Sequence, residues 1–220
     1  MTGYELIVFD WDGTLADSTA VIRRALQAAA VDLGYPKPSD AVANYVIGLG
    51  LREALAHAVP TLRAGDVARL VERYRMHFLA AEGEIVLYEG VVEMLDRLAN
   101  AGFRLAVATG KTREGLRRAL ERTGLVGRFE VTRCADEGFA KPHPGMLEAI
   151  FDQLGVAASS AVMVGDTTHD LQLAANAGAD AVGVTYGAHD ATLLRPFRSL
   201  ALVDSVSQLE ATLLNLSAYE

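Results

Sequence analysis

Two aspartates, Asp10 and Asp12, stand one residue apart where the apolar run Leu6–Phe9 ends, and Gly13 and Thr14 follow directly. A second acidic pair, Asp166 and Asp170, lies in "GDTTHD", behind the apolar run "AVMV". "LAVATGK" supplies a hydroxyl and a cation, Thr109 and Lys111, with Gly110 between them. A further cation, Lys141, comes in "FAKPHP" ahead of two prolines that stiffen its loop. Carboxylates gathered from two distant segments repel: two unit charges about 4 Å apart cost roughly 4 kcal/mol at an effective dielectric near 20. A bound divalent cation removes that cost. Oxygen ligands on loops with room for water suit Mg²⁺, whereas Zn²⁺ favours His and Cys. The residue types therefore point to carboxylates that hold a metal and do chemistry beside it.

For these residues to meet, their strands must end at one edge. Short β-rich runs at Leu6–Phe9, Arg104–Thr109, Ala161–Val164, Ala181–Val184 and Leu200–Val203 alternate with amphipathic helical stretches at Val91–Ala101, Arg113–Thr123, Pro144–Leu154, Leu171–Ala177 and Val206–Leu216. The alternation predicts an α/β fold, a Rossmann-like parallel sheet with helices on both faces. In such a sheet, ligands bind in the crevice at the carboxyl ends of the strands, where every residue named above falls.

From about Ser18 to Glu82 the alternation stops and the pattern is helical. "TAVIRRALQAAAVDLG" carries Val21, Ile22, Leu26 and Ala29 or Ala30 on one side, with Gly34 as a stop, and further helices are expected at Ser39–Tyr45, Leu51–Val59 and Ala64–Ala80. This stretch reads as an inserted α-helical cap, residues 16–85, set as a lid on a core formed by residues 1–15 and 86–220.

The composition excludes several classes. A charge of -8 lacks the basic patch that a phosphate backbone requires, so nucleic acid is not an expected partner. Neither a signal-like segment nor a membrane span is visible near the N-terminus, and the one cysteine, Cys134, rules out an intrachain disulfide. A cytoplasmic protein is expected. The mean hydropathy of +0.20 is compatible with a monomer or a homodimer.

Taken singly, each residue has a plainer reading. Asp166 or Asp170 could cap a helix, Gly13 and Thr14 could make a turn, Thr109 could cap the next helix, and Lys141 could be a solvated lysine. His169 is expected at the surface, His143 in a loop, and Trp11 in packing.

Jointly and in order, "DWDGT", the Thr109 that ends "LAVAT", Lys141 and "GDTTHD" resemble the four motifs of the haloacid dehalogenase-like phosphohydrolases, with a helical cap between the first two. The resemblance spans nearly the whole chain. It implies that Asp10 is the nucleophile that forms an aspartyl-phosphate and that Asp12 is the general acid and then base. Thr109 and the Gly110 N–H would bind phosphoryl oxygens, and Lys141 would neutralise charge. Mg²⁺ would be held by Asp10, Asp166 and the backbone carbonyl of Asp12, with Asp170 binding directly or through water.

Asp12 separates this chain from the dehalogenase and phosphonoacetaldehyde hydrolase branches, which lack a general acid at that place. The resemblance thus implies hydrolysis of a small phosphorylated metabolite. A phosphosugar mutase or pyrophosphatase shares the same motifs, and a receiver-like phospho-acceptor switch is a more distant alternative. "VIGLGLREAL" resembles the cap loop of the phosphoglycolate phosphatase branch, which makes Gly48, Gly50 and Arg52 the candidate substrate contacts and 2-phosphoglycolate the first candidate substrate. Lys37 is a weaker candidate, and Arg52 reads equally well as a solvated residue at a helix start. One departure stands out: relatives commonly have "TNK" where this chain has "TGK".

Overall fold

The computed structural model describes residues 3–216. In chain order the strands are β1 (Leu6–Phe9), β2 (Ala16–Asp17), β3 (Val86–Leu87), β4 (Arg104–Thr109), β5 (Val131–Cys134), β6 (Ala161–Gly165), β7 (Asp180–Val184) and β8 (Ala201–Val203). The helices are α1 (Thr19–Asp32), α2 (Asp40–Tyr45), α3 (Leu51–Ala58), α4 (Val67–Ala81), α5 (Val91–Asn100), α6 (Arg113–Thr123), α7 (Gly145–Leu154), α8 (Thr168–Ala177), α9 (Ala191–Leu194) and α10 (Val206–Asn215).

Six strands form one parallel sheet in the order β5-β4-β1-β6-β7-β8. Successive side chains of a strand point to opposite faces, so β1 sends Ile7 and Phe9 one way and Leu6 and Val8 the other. Ile7 and Phe9 join an apolar cluster with Met94 and Leu98 of α5 and Leu209 of α10. Leu6 and Val8 join a second with Leu147 and Ile150 of α7 and Leu171 of α8. Both faces are thus covered by helices, as a parallel sheet requires, and all four β1 side chains are fully buried. Burying each stabilises the fold by roughly 1.5–3 kcal/mol. This is the doubly covered α/β fold that the sequence predicts.

The short pieces escaped the sequence reading. Strand β5 sits at the sheet edge, where Thr132 and Arg133 are only half-buried and the apolar signal is weak. Helix α8 begins at Thr168, three residues before the expected Leu171, because Thr167 and Asp170 close a capping box ahead of the apolar run. The stretch expected as one helix from Ala64 is a 3₁₀ turn, Ala64–Asp66, followed by α4.

Helices α1 to α4 pack on one another around Leu26, Ala30, Ala43, Leu55 and Leu70. A smaller cluster, in which Val21, Ile22, Ile47 and Phe78 pack with Ala188, joins them to the sheet unit. The chain enters and leaves this helical unit through β2 and β3, which pair antiparallel with Ala16 opposite Leu87 and Asp17 opposite Val86. No helix among the described residues is long and apolar enough to cross a membrane.

Candidate active site

Parallel register fixes which residues meet. Phe9 lies opposite Val107 of β4 and Val164 of β6, and the Asp10 N–H donates to the Val164 carbonyl at 2.8 Å. The residues just beyond, Asp10, Thr109 and Asp166, therefore emerge together at the carboxyl edge of three adjacent strands. All three are fully buried.

Asp10, Asp166 and Asp170 each turn a carboxylate oxygen to a common point, with those oxygens within 4.8 Å of one another. Asp166 accepts hydrogen bonds from Thr14 Oγ1 at 3.0 Å and from the Ala188 N–H at 2.7 Å. Asp170 accepts from Lys141 Nζ at 2.6 Å and from the Thr167 hydroxyl and N–H at 2.7 and 3.0 Å. Asp10 is different: Lys141 Nζ lies 2.8 Å from its Oδ1, and its Oδ2 has no hydrogen-bond partner among the described residues.

Electrostatics follows from burial. Desolvation, opposed by Lys141 and reinforced by Asp170 and Asp12, pushes the Asp10 carboxyl up to about 7. Desolvation and the charges of Asp10 and Asp170 also push Asp166 well above the carboxylate range. For Lys141 the desolvation penalty is outweighed by the attraction of Asp10 and Asp170, so its pKa is raised and the ammonium stays charged. Three buried carboxylates facing one lysine leave an excess of negative charge. An oxygen-only donor set with an orphaned carboxylate fits a hard divalent cation such as Mg²⁺.

Asp12 faces elsewhere. Its carboxylate takes Lys111 Nζ at 2.9 and 3.1 Å and the Ser18 hydroxyl at 2.7 Å, away from the three-carboxylate cluster. Lys111 Nζ also stands 5.0 Å from the centre of the Phe78 ring on α4, so the helical unit touches this pair directly.

With this geometry in place, comparison with known proteins is decisive. Residues 7–184 match the family model of haloacid dehalogenase-like hydrolases. The chain belongs to the haloacid dehalogenase-like hydrolases. Its relatives include the probable phosphatase IndB of Dickeya dadantii, 36% identical over 92% of this chain and 90% of that protein. A phosphoglycolate phosphatase of Agrobacterium fabrum is 32% identical over 86% of this chain and 84% of its own length. The fold matches the crystal structure of a predicted phosphatase from Clostridium acetobutylicum with a TM-score of 0.87 at 24% identity, over 97% of this chain and all of that one.

Like the motifs, the departure from them has a structural correlate in this haloacid dehalogenase-like hydrolase. A Cβ at Gly110 would lie 2.6 Å from the Gly48 carbonyl oxygen and 2.8 Å from that of Leu49, so the backbone of the helical unit occupies the space that an asparagine side chain needs. Gly48 is held with φ +91°, which favours glycine, and it lines a cavity that reaches from Asp12 into the helical unit. Gly50 packs toward Ala140, next to Lys141. Arg52 is exposed on the first turn of α3 and does not line that cavity, and neither does Lys37.

Two histidines need correction or addition. His169, expected at the surface, is buried, and its Nε2 lies 2.8 Å from the Tyr45 carbonyl; His189 Nε2 reaches the same oxygen at 3.1 Å. Tyr45 stacks on His189, with ring centres 5.3 Å apart. These contacts join α2 to the sheet unit across 124 and 144 residues of chain, a separation at which the sequence carries no local signal. Ser18 and Phe78 were also missed, since neither type is distinctive until the fold places it. Trp11 packs in the core and His143 is an exposed loop residue, as expected.

Proposed function

We propose that this chain is a Mg²⁺-dependent phosphatase that hydrolyses a small phosphate monoester through an aspartyl-phosphate on Asp10. The observation that carries the reading is the buried Asp10 carboxylate, 2.8 Å from a buried lysine and converging with Asp166 and Asp170. The Asp10 Oδ2, which has no hydrogen-bond partner among the described residues, keeps its lone pairs for attack.

In this reading an Asp10 oxygen attacks phosphorus, the bond from phosphorus to the ester oxygen breaks, and Asp12 gives its proton to the departing alkoxide. Asp12 then takes a proton from water as that water attacks the acyl phosphate, which releases phosphate and restores the Asp10 carboxylate. Lys111 and Ser18 orient Asp12 for both transfers. Thr109 Oγ1 already accepts the Lys111 N–H at 3.2 Å, which leaves its own proton to donate to a phosphoryl oxygen beside the Gly110 N–H. Lys141 balances charge between Asp10 and the transferring group.

Asp10, Asp166 and the backbone carbonyl of Asp12 would hold Mg²⁺, which when bound would supply positive charge that offsets the carboxylates and the phosphoryl oxygens. Asp170, which brings one oxygen to within 4.8 Å of those of Asp10 and Asp166, would bind it directly or through water. Residues 16–85 act as the cap over a core of residues 1–15 and 86–220. Cys134 is a buried thiol pushed up to about 12 by desolvation, an inert core residue that suits the cytoplasm.

Phosphate release from a panel of monoesters, with and without Mg²⁺, tests the reading. The panel includes 2-phosphoglycolate, on which the cap loop and the name of the Agrobacterium relative converge, together with sugar phosphates, nucleotides and pyrophosphate. Metal-dependent release that falls at least about a thousandfold in Asp10→Asn supports it. Full activity in Asp10→Asn, or a phosphoaspartate that persists without turnover, overturns it.

A further inference from the structure

Beyond Asp12 and Gly110 the site opens into a cavity of about 370 Å³ between α1, α4 and the Lys111 loop, within the rough range of 300–1,000 Å³ of small-molecule sites. Its walls are apolar: Ile22, Leu26, Val46, Leu49, Tyr74 and Phe78 all face it. Tyr74 and Phe78, one helical turn apart on α4, present near-parallel rings whose centres are 5.9 Å apart.

The charges around this space are mostly engaged. Lys111 is held by Asp12, and Arg118 is paired with Glu82 at 3.3 Å. Glu114 and Asp136 also line the space, and Glu114 is likewise engaged, by Arg117 at 2.7 Å and Arg118 at 3.5 Å. Arg75 is the cavity-lining cation with no ion pair among the described residues, and it is exposed. The Tyr74 hydroxyl has no hydrogen-bond partner among the described residues, and burial together with the charge of Asp12 raises its pKa, so it remains a neutral donor.

A two-carbon acid bound at Asp10 would leave these apolar walls facing water. We infer that the leaving group of the preferred ester carries an apolar, ring-sized body that packs against Tyr74 and Phe78. A polar atom on that body meets the Tyr74 hydroxyl, and any charged tail ends near Arg75. This inference rests on the phosphatase reading of the same site and narrows its substrate class.

Two matched pairs test it. Phosphate release in Mg²⁺ is compared for 2-phenylethyl phosphate and ethyl phosphate, alkyl esters that differ by one ring, with 2-phosphoglycolate alongside. Binding of 2-phenylethylphosphonate and ethylphosphonate, which cannot be hydrolysed, is compared by calorimetry. The phenyl member is expected to gain about 30-fold or more in kcat/KM and in affinity, the gain that burying a ring brings. Leu79→Glu, a change at an exposed lining residue that the fold should tolerate, is expected to shrink both ratios several-fold.

Ethyl phosphate or 2-phosphoglycolate turned over as well as the phenyl ester, or equal binding of the two phosphonates, overturns the inference and leaves the phosphatase reading standing. No release from any ester together with preferential binding of the phenylphosphonate overturns the phosphatase reading and supports the ring-sized site. No release and no binding preference overturns both.

Discussion

Lys111 grips Asp12 through both carboxylate oxygens, at 2.9 and 3.1 Å, with both side chains almost buried. A carboxylate held at two points keeps one orientation, and misplacing a reacting group by an ångström can cost about 100-fold in rate. In the proposed mechanism Lys111→Ala therefore lowers kcat by about 10- to 100-fold and moves KM less, as steady-state kinetics on any turned-over ester will show.

Lys141 is buried between Asp10 and Asp170. Its removal leaves carboxylates uncompensated, and breaking a buried pair from one side costs about 3–5 kcal/mol. Lys141→Met, which keeps most of the volume, is expected to lower the denaturant midpoint by a corresponding amount. The loss should be smaller when Asp10→Asn is added, because the two changes act on one interaction.

Asp10 makes stability depend on pH. Its carboxyl is raised from the ordinary 3.8 to about 7, so the folded state holds the proton more tightly than the unfolded state does. Stability from this group is full at acid pH and declines as pH rises across that window, by on the order of a few kcal/mol. In metal-free buffer, Asp10→Asn should gain on the wild type as pH climbs from 4 to above 7, in parallel chemical denaturations. Mg²⁺ is expected to stabilise the wild type most at the upper end, where Asp10 is ionised.

Gly110 makes room for the backbone of Gly48 and Leu49. Gly110→Asn puts a side chain into that space and forces the loop away, and overpacking of this kind costs roughly 1–3 kcal/mol. The variant is expected to lose about tenfold in kcat/KM and to become more susceptible to proteolysis in the helical unit, both measurable against the wild type.

Much of this was legible because the informative signals are local. The β1 run and the aspartates after it, the "GDTTHD" turn and the helical period of α1 each declare themselves within a dozen residues, and the parallel sheet then brings Asp10, Thr109 and Asp166 to one edge by register. What was not legible depends on contacts between distant segments. Nothing near Lys111 in the chain announces that it will bind Asp12, 99 residues away. Arg52, singled out by its loop, is exposed outside the cavity, whereas Tyr74 and Phe78 line it. The aromatic spacing on α4 reads first as core packing, and only the fold shows that one face of that packing is open.

The paired crossings at β2 and β3 have a consequence for how such a molecule can change. Ala16 and Leu87 lie side by side, so everything between Asp17 and Val86 hangs from a single hydrogen-bonded ribbon. To the sheet, this long stretch is topologically no more than a hairpin loop. Beyond Ser18, which holds Asp12, chain could be lost, exchanged or lengthened without altering the register of β1, β4 and β6, so the residues at the sheet edge can be inherited while the walls facing the leaving group are rewritten. A graft that keeps Ser18 and joins it to Val86 through a short turn, or through another protein's helices, begins from ends that already meet.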